Sequence, residues 1–461
     1  MYNSDTIAAI ATGMTNSGIG IIRISGSESF AVAEKIFLPA NKNIKIKDAE
    51  SHTIHYGFIK DGEETVDEAM VSVMKSPRSF TTEDTVEINC HGGMLVMNRI
   101  LQLVITNGAR LAEPGEFTKR AFLNGRIDLS EAEAVMDVIS SKNDMALKSS
   151  VGQLRGKVSE KVKQLRSDII YEIAFIESAL DDPEHISLEG YPEKLSIKVN
   201  SLIKIVDNLL QSADSGRIMK EGIKTVIVGK PNAGKSSLLN ILAGEEKAIV
   251  TDIAGTTRDV LEENINLHGI SLNVIDTAGI RDTEDTVEKI GVERARKAAM
   301  DADLIIYVVD ASVSLDDNDQ MIFEMIHDKK SVILLNKTDL PSVIKEDDLL
   351  KMTGKDSVMI RTSTKDATGI DLFENTVKDM FFKGKINPDQ EVVITNMRHK
   401  EALLRTLESL KQVKKSIENH MPEDFYSIDL MSAYTSLGSI IGEEVSDDLV
   451  NEIFSKFCMG K

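Results

Sequence analysis

The alternation of apolar and polar residues changes along the chain and divides it into segments of different predicted structure. Residues 1–118 contain short alternating stretches, such as Val86, Ile88 and Cys90, that predict half-buried β-strands. One amphipathic helix is predicted from about Met94 to Thr106, where Asn-Gly follows and ends it. This segment is therefore expected to be an α+β domain.

From residue 119 the apolar period becomes helical. Ser130 and Glu133 have the spacing of a capping box, which starts many helices. Apolar residues then recur at every third or fourth position, which predicts one helix of about seven turns or more with a single apolar face. These residues are Leu154, Val158, Val162, Leu165, Ile169, Ile173, Ile176 and Leu180.

Residues 217–380 alternate apolar strands with helices, which predicts a mostly parallel α/β sheet with helices on both faces. From residue 381 helical patterns return, and a last helix is predicted to begin near Ser446. One apolar helix face there consists of Leu403, Leu407, Leu410, Val413 and Ile417. Because the helices before 217 and after 380 each need an apolar partner, we interpret 119–216 and 381–461 as one helical domain. The domain 217–380 is inserted into it.

Composition sets limits on the class of protein. The 461 residues carry a net charge of -20, which argues against a surface covered by nucleic acid but allows a local basic patch. Two cysteines argue for a reducing compartment and against a disulfide framework. Neither a long apolar span nor a basic and apolar leader is recognised, so we expect a cytoplasmic protein.

The most informative motif is a phosphate loop. An apolar strand runs into Gly-Lys-Pro-Asn-Ala-Gly-Lys-Ser at residues 229–236, and a helical segment follows. The two glycines let the backbone direct its N–H groups at a phosphate chain. Lys235 can reach the β- and γ-phosphates, and Ser236 can bind Mg²⁺. The motif predicts a nucleotide site.

Two further motifs indicate that the nucleotide is GTP. Asp276-Thr277-Ala278-Gly279 follows an apolar strand, where Asp276 can reach Mg²⁺ through water and Gly279 N–H can meet the γ-phosphate. Asn336-Lys337-Thr338-Asp339 follows another strand. The Asp339 carboxylate can accept two hydrogen bonds from guanine, and adenine offers no such pair. The segment Thr362-Ser363-Thr364-Lys365, after a third strand, is placed to touch the base, and Ser363 is its candidate contact.

The residue that orients the attacking water is not evident from these motifs. Small signalling GTPases have a glutamine directly after the second motif, but Ile280 stands there and cannot form hydrogen bonds. The loop 281–291 holds several carboxylates, one of which could position water, although its composition also fits a solvated loop. Upstream, Thr256 and Thr257 offer hydroxyl groups for Mg²⁺.

Together, these and other segments resemble the MnmE (TrmE) family of tRNA wobble-uridine modification GTPases. The matching segments are residues 5–12, 18–26, 85–93, 113–134, 229–240, 250–259, 276–282, 336–339 and 457–461. The resemblance implies a homodimer with a tetrahydrofolate-binding and dimerisation domain at 1–118, the split helical domain and the inserted GTPase domain. It also implies tRNA as substrate and a flavin-containing MnmG (GidA)-like partner that completes a heterotetramer.

The same resemblance assigns ions and a catalytic carboxylate. In the family, two GTPase domains meet across K⁺ when GTP is hydrolysed. The corresponding K⁺ ligands are Asn232, Thr251, Ile253 and Thr256; Ser236 and Thr257 would bind Mg²⁺, and Glu288 would orient water. The residues implied at the nucleotide and its ions are Asn232, Ala233, Gly234, Lys235, Ser236, Ser237, Thr251, Asp252, Ile253, Ala254, Gly255, Thr256, Thr257, Asp276, Thr277, Ala278, Gly279, Asn336, Lys337, Thr338, Asp339 and Ser363.

The resemblance further implies one-carbon chemistry. The residues that match contacts to 5-formyl- or 5,10-methylene-tetrahydrofolate are Arg23, Glu87, Arg126 and Lys461, and Cys458 matches a candidate catalytic cysteine in a C-terminal C-x-G-K tail. Residues 13–17 depart from the Pro-, Gly- and Arg-rich loop usual in the family, which leaves the shape of this pocket open. By contrast, Cys90 and His91 lack a third partner in the sequence pattern, and we interpret Cys90 as a packing residue.

Two functions of different classes fit the sequence. The first is an enzyme that hydrolyses GTP in tRNA modification. The second is a regulatory GTPase switch in ribosome assembly or RNA binding, because similar phosphate loops occur there. A switch needs neither a folate-binding-like domain nor a C-x-G-K tail, so the segments flanking 217–380 favour the enzyme.

Overall fold

The chain is described by a computed structural model at residues 5–244, 262–267, 270–275, 297–346, 349, 352, 357–382, 392–443, 445–458 and 460. These residues belong to two compact units. The first unit is Met1–Met136, Gln153–Ile170 and Tyr434–Lys461, and the second is Asp137–Gly152 and Tyr171–Ala433.

A seven-stranded sheet forms the centre of the first unit. Its strands are β1 (Ile7–Ile10), β2 (Ser17–Ser25), β3 (Phe37–Pro39), β4 (Thr53–Asp61), β5 (Glu64–Met74), β6 (Thr85–Gly92) and β7 (Arg110–Leu111). They lie in the order β3-β4-β5-β6-β2-β1-β7, antiparallel except for the β1–β7 pair. As predicted, Val86, Ile88 and Cys90 alternate toward the core.

Thirteen helices are labelled among the described residues, besides a short 3-10 helix at Ile46–Asp48. They are α1 (Ser29–Ile36), α2 (Met94–Thr106), α3 (Glu116–Leu123), α4 (Leu129–Ser140), α5 (Asp144–Leu154), α6 (Lys157–Asp181), α7 (Tyr191–Glu221), α8 (Lys235–Gly244), α9 (Asp317–Ile326), α10 (Ile370–Phe382), α11 (Met397–Glu418), α12 (Asp424–Ile441) and α13 (Asp447–Ser455). The predicted bounds of α2 are confirmed, and so is the start of α13, because Ser446 is its N-cap.

Two predictions about the helical region were wrong in detail. The apolar face 154–180 does not lie on one helix, because Gly156 has φ +84° and separates α5 from α6. Six of its eight residues are buried on α6, whereas Leu154 and Leu180 are 37% and 43% exposed. The residues with the predicted burial are Val158, Val162, Leu165, Ile169, Ile173 and Ile176.

The capping box of α4 lies two residues earlier than predicted. Glu131 N donates to Asp128 Oδ1 at 3.1 Å, and Asp128 N donates to Glu131 Oε2 at 2.8 Å. Ser130 is already inside the first turn, where its hydroxyl donates to the same Asp128 oxygen. Asp-x-x-Glu and Ser-x-x-Glu overlap here, and the aspartate is the cap because it stands before the first helical residue.

A six-stranded sheet lies in the second unit. Its strands are β8 (Ile223–Val228), β9 (Glu262–Leu267), β10 (Ile270–Ile275), β11 (Leu304–Asp310), β12 (Ser331–Asn336) and β13 (Ser357–Arg361), in the order β13-β12-β11-β8-β10-β9. All pairs are parallel except β9–β10. Because separate apolar cores cover the two faces, the inner strands β11 and β12 are almost continuous apolar runs. The predicted α/β sheet is confirmed.

Helices α7 and α11, which flank this sheet in sequence, pack against each other in antiparallel directions. Ile394 N donates to Ser212 Oγ at 3.1 Å, and Lys400 Nζ lies 2.6 Å from Asp214 Oδ1. The predicted apolar face of α11 is buried throughout. This pairing is compatible with an inserted domain, whose boundaries at 217 and 380 stay a prediction.

Candidate functional site

The phosphate loop joins β8 to α8. Gly229 and Gly234 have φ of 150° and 109°, a region that other residues rarely adopt. A Cβ at Gly234 would overlap the side-chain nitrogen of Asn336, so a larger residue would push the loop away from β12. Glycine is needed at residue 234 because the loop turns there and also passes close to Asn336 at the end of β12.

Lys235 is the first residue of α8, and its side chain folds back over the loop. Its Nζ donates to the carbonyl oxygens of Gly229 at 2.7 Å and Lys230 at 2.8 Å. Asn232, Ser236 and Ser237 are exposed at the mouth of this loop. The loop therefore presents amide and hydroxyl oxygens, a lysine and the positive end of a helix at one place, which together suit a polyphosphate and a hard cation.

The predicted motif at residues 336–339 holds the loop from the other side. Asn336 is fully buried at the end of β12; its Nδ2 donates to Ala233 O at 2.8 Å, and its Oδ1 accepts from Thr364 N at 3.0 Å. Thr338 Oγ1 donates to Thr362 O at 2.9 Å. The asparagine thus connects the phosphate loop to the segment that follows β13.

Asp339 is the exposed carboxylate of this motif. Its Oδ1 accepts from Ser363 Oγ at 3.1 Å, while Lys337 forms an ion pair with Asp310 at 2.6 Å. The Lys337 ammonium lowers the pKa of Asp310 despite partial burial. The structure brings Asp339 and Ser363 together, as base recognition requires. Thr364 belongs to the segment predicted to lie near the base, whereas sequence reasoning missed Asp310, whose only signal is its position at the end of β11.

Several predicted residues lie outside the described part of the chain. They are Glu288, the segment Thr251, Asp252, Ile253, Ala254, Gly255, Thr256 and Thr257, the motif Asp276, Thr277, Ala278 and Gly279, and Lys461. Strand β10 ends at Ile275, directly before Asp276, as predicted.

A second group of predicted residues meets in the first unit. Arg23 on β2 and Glu87 on β6 are cross-strand partners, and their Nε and Oε1 atoms are 2.8 Å apart. The other end of the Arg23 guanidinium donates to Gly460 O at 3.5 Å. Gly460 thus reaches an arginine that is 437 positions away in sequence.

Three sets of contacts dock this tail. Gly460 is buried with φ +86°, and a Cβ there would overlap the carbonyl oxygen of Ile10 at the end of β1. Gly115 N donates to Cys458 O at 3.3 Å. Phe454 and Phe457 are buried against Leu129 and Ala132 of α4. The backbone of Cys458 is therefore held by Gly115, while its side chain is exposed.

Arg126 has its own partners in the same unit. Its NH1 donates to Ser79 O, and the guanidinium lies 5.7 Å from the Phe80 ring centroid. The Arg23 guanidinium lies 5.6 Å from the Phe117 ring centroid, and Phe80 packs against the small cluster that contains Phe117. Both arginines therefore border one aromatic cluster. Sequence reasoning missed both rings. Phe117 at least lies in the matching segment 113–134, whereas Phe80 lies outside the matching segments.

Cys90 is a packing residue, as predicted. Its Sγ donates to Gly20 O at 3.4 Å, and burial raises the pKa of its thiol to about 11. His91 points away on the strand and pairs with Asp67 at 2.7 Å, whose hydrogen bond raises the pKa of the imidazole. These two environments exclude a Cys–His dyad at this position.

Within the ranges that the structure describes, no helix combines the length and apolar character needed to span a bilayer. Over the same ranges, no cluster of three or more His, Cys, Asp or Glu residues is placed to hold a metal ion.

Comparisons with known proteins cover both units. Two family models match: the GTP-binding protein TrmE N-terminus at residues 6–126, and the MnmE helical domain at residues 129–458. Among curated proteins, the tRNA modification GTPase MnmE of Lachnoclostridium phytofermentans is 58% identical over 99% of this chain and 100% of its own length. The protein of the same name from Acetivibrio thermocellus is 50% identical over 100% of both. A solved structure, the G domain of the T. maritima FeoB iron transporter, is 27% identical over 34% of this chain and 98% of its own, with a TM-score of 0.27.

Proposed function

This chain belongs to the MnmE family of tRNA modification GTPases, and from that membership we propose that it modifies the wobble uridine of certain tRNAs at C5. It is a GTP-hydrolysing enzyme. The products we propose are of the carboxymethylaminomethyl or aminomethyl type. A tetrahydrofolate carries the one-carbon unit, and GTP hydrolysis accompanies the modification.

The observation that carries the one-carbon part is the meeting of Arg23, Glu87 and the tail at Gly460. A guanidinium donor beside a carboxylate acceptor, each about one-fifth exposed, suits a heterocycle with neighbouring N–H and C=O groups, such as a reduced pterin. Arg126 and the end of the tail would hold the rest of the folate, which supplies the one-carbon unit when bound. The exposed Cys458 thiol is then available to a reactive carbon.

The nucleotide site fits the ions that we propose. Asn232 and Ser236, exposed at the mouth of the loop, offer an amide oxygen and a hydroxyl oxygen, the ligands preferred by K⁺ and Mg²⁺. Thr251, Ile253 and Thr256 would complete the K⁺ ligands, and Thr257 would share Mg²⁺ with Ser236. K⁺ would supply positive charge near the transferred phosphoryl group, and Glu288 would orient the attacking water.

Assembly follows from the same proposal. From the family membership we propose a cytoplasmic homodimer that joins an MnmG (GidA)-like flavoprotein in a heterotetramer. The alternative, a GTPase switch in ribosome assembly or RNA binding, would leave the docked tail and the Arg23–Glu87 pair without a role.

The proposal is tested in cells that lack the gene for this protein. Mass analysis of tRNA nucleosides should show wobble uridines without the C5 group, and expression of the parental chain should restore it. Cys458→Ser should fail to restore it while the purified variant hydrolyses GTP near the parental rate. Cys90→Ser, at the buried cysteine, is the matched control and should restore it. Normal modification in the deleted strain would refute the function, and full rescue by Cys458→Ser would show that the thiol is incidental.

A further inference from the structure

The first half of the phosphate loop is attached to helix α9 by the side chain of Lys230. Its Nζ lies 2.7 Å from Asp319 Oδ2 and 3.0 Å from Asp316 Oδ2. Asp319 is 1% exposed, whereas Asp316 is 52% exposed. Since water screens an exposed charge far more than a buried one, the bond to Asp319 is the stronger of the two.

Asp319 is held by neutral donors as well. Tyr307 OH, on β11, donates to Oδ1 at 2.5 Å, and Asp316 N donates to Oδ2 at 2.8 Å. The second bond belongs to the capping box of α9, which accounts for an acidic residue at this position. The capping box explains why the residue is acidic but does not explain why its side chain is buried. Burial of the charged carboxylate requires a compensating cation, and Lys230 provides it.

The backbone of Lys230 contacts the residue that reaches the phosphates. Its carbonyl oxygen accepts from Lys235 Nζ at 2.8 Å. The adjacent Gly229 lies so close to β11 that a Cβ there would overlap Val308 O. Lys230 thus links two groups: its carbonyl oxygen bonds Lys235, and its side chain bonds the buried carboxylate of Asp319 on α9. The later half of the loop is held separately, by the bond from Asn336 to Ala233.

We propose that Lys230 and Asp319 are positioning residues for GTP binding. Their ion pair fixes the first half of the loop, so that the loop amides and Lys235 are arranged before the nucleotide arrives and less ordering is needed on binding. The Lys230 side chain is turned to α9, and the pair acts through the backbone of residues 229–235. The inference rests on this loop being the GTP site.

The test is steady-state GTP hydrolysis by the full-length protein in KCl. Lys230→Met should raise KM for GTP by about tenfold and change kcat by less than about threefold, because the loop loses its arrangement in the free enzyme. Lys230→Arg keeps a cation at the same place and should recover most of the parental KM. Lys224→Met makes the same substitution at an exposed position of β8 and should leave KM unchanged.

A double variant distinguishes positioning from a general loss of stability. Asp319→Asn can keep the Tyr307 hydrogen bond at its amide oxygen, but its NH2 group cannot accept from Lys230 or from Asp316 N. It should therefore raise KM in the same way, and it carries the test if Lys230→Met does not fold. Lys230→Met combined with Asp319→Asn should raise KM no more than about twofold beyond the larger single effect. The proposal would be overturned if the single variants had lower melting temperatures but the parental KM. It would also be overturned if the increase in KM of the double variant equalled the product of the two single increases. If Lys235→Met kept the parental KM, the assignment of the GTP site itself would fail instead.

Discussion

The two cysteines occupy environments that give their thiols different chemistry. Cys90 is buried between strands β2 and β6, and desolvation raises the pKa of its thiol to about 11. Cys458 is exposed on a tail whose backbone is held by Gly115. Because the thiolate is the reactive form, near neutral pH Cys90 remains a protonated core residue that reagents reach only after unfolding.

A thiol titration checks this difference. We expect one thiol per native chain to react rapidly with a disulfide reagent at pH 8, and the second to react only in denaturant. Cys458→Ser should remove the rapid reaction, and Cys90→Ser should retain it. Rapid modification of the native Cys458→Ser protein would contradict the burial of Cys90.

The motif at residues 336–339 assigns its polar side chains to different tasks. Asn336, Lys337 and Thr338 are bonded within the protein, whereas Asp339 is exposed and its partner is the hydroxyl of Ser363. Of the four, Asp339 supplies the one carboxylate and is the most exposed, which makes it the residue that should select the base.

Asp339→Asn should change the preferred nucleotide. The amide replaces an acceptor by a donor, which opposes the 2-amino group of guanine and suits the 2-oxygen of xanthine. We expect GTP affinity to fall by about a hundredfold or more, with XTP then bound better than GTP. Asp366→Asn is the matched control, because Asp366 also accepts from Ser363 Oγ at 3.1 Å. Retained preference for GTP in Asp339→Asn would show that another residue reads the base.

At the level of elements, helix boundaries depend on competing local signals. The start of α4 has aspartate and serine two residues apart, each followed three positions later by glutamate. The aspartate accepts the Glu131 N–H bond, and the serine hydroxyl becomes a donor to the aspartate. The cap therefore depends chiefly on Asp128.

Asp128→Ala should loosen α4 more than Ser130→Ala does. Loss of an N-cap costs about 1 kcal/mol, whereas alanine inside the first turn is a good helix former. Native-state hydrogen exchange of the α4 amides measures this locally, which avoids assuming two-state unfolding for a chain of two units. A larger loss of protection in Ser130→Ala would restore Ser130 as the cap.

At the level of the whole molecule, the proposed mechanism links hydrolysis to K⁺ and to dimer formation across it. We expect GTP turnover to be at least about tenfold faster in KCl than in NaCl at equal ionic strength, because K⁺ supplies the charge of an arginine finger. Glu288→Ala should lower kcat by about a hundredfold and keep nucleotide affinity. Glu284→Ala, in the same loop, is the matched control.

Two outcomes would decide against this mechanism. Equal turnover in both salts would remove the role of K⁺. Parental turnover by Glu288→Ala, with loss in Glu284→Ala, would assign the water to Glu284 instead. Both glutamates lie outside the described residues, so kinetics must choose between them.

Much of the fold and the nucleotide site was predictable because the signals are local. The loop 229–236 and the motif 336–339 each follow a buried strand, and parallel strands bring their carboxyl ends to one edge of the sheet. The contact between Arg23 and Gly460 joins opposite ends of the chain, and no periodicity encodes such a contact. Gly156 shows a similar limit: the apolar period continues across it, although one left-handed residue separates two helices.

The junction between α7 and β8 has a mechanical consequence. Helix α7 has 31 residues and is about 46 Å long, and a single residue, Gly222, joins it to the strand that leads into the phosphate loop. Asn273 of β10 donates to Glu221 O at 2.7 Å, so the end of the helix is also bonded to the strand that precedes Asp276. Such a rod acts as a lever whose pivot lies at the start of β8, one six-residue strand away from the phosphate loop. A tilt of about 5° at the pivot would carry the far end through about 4 Å, by the length of the helix alone.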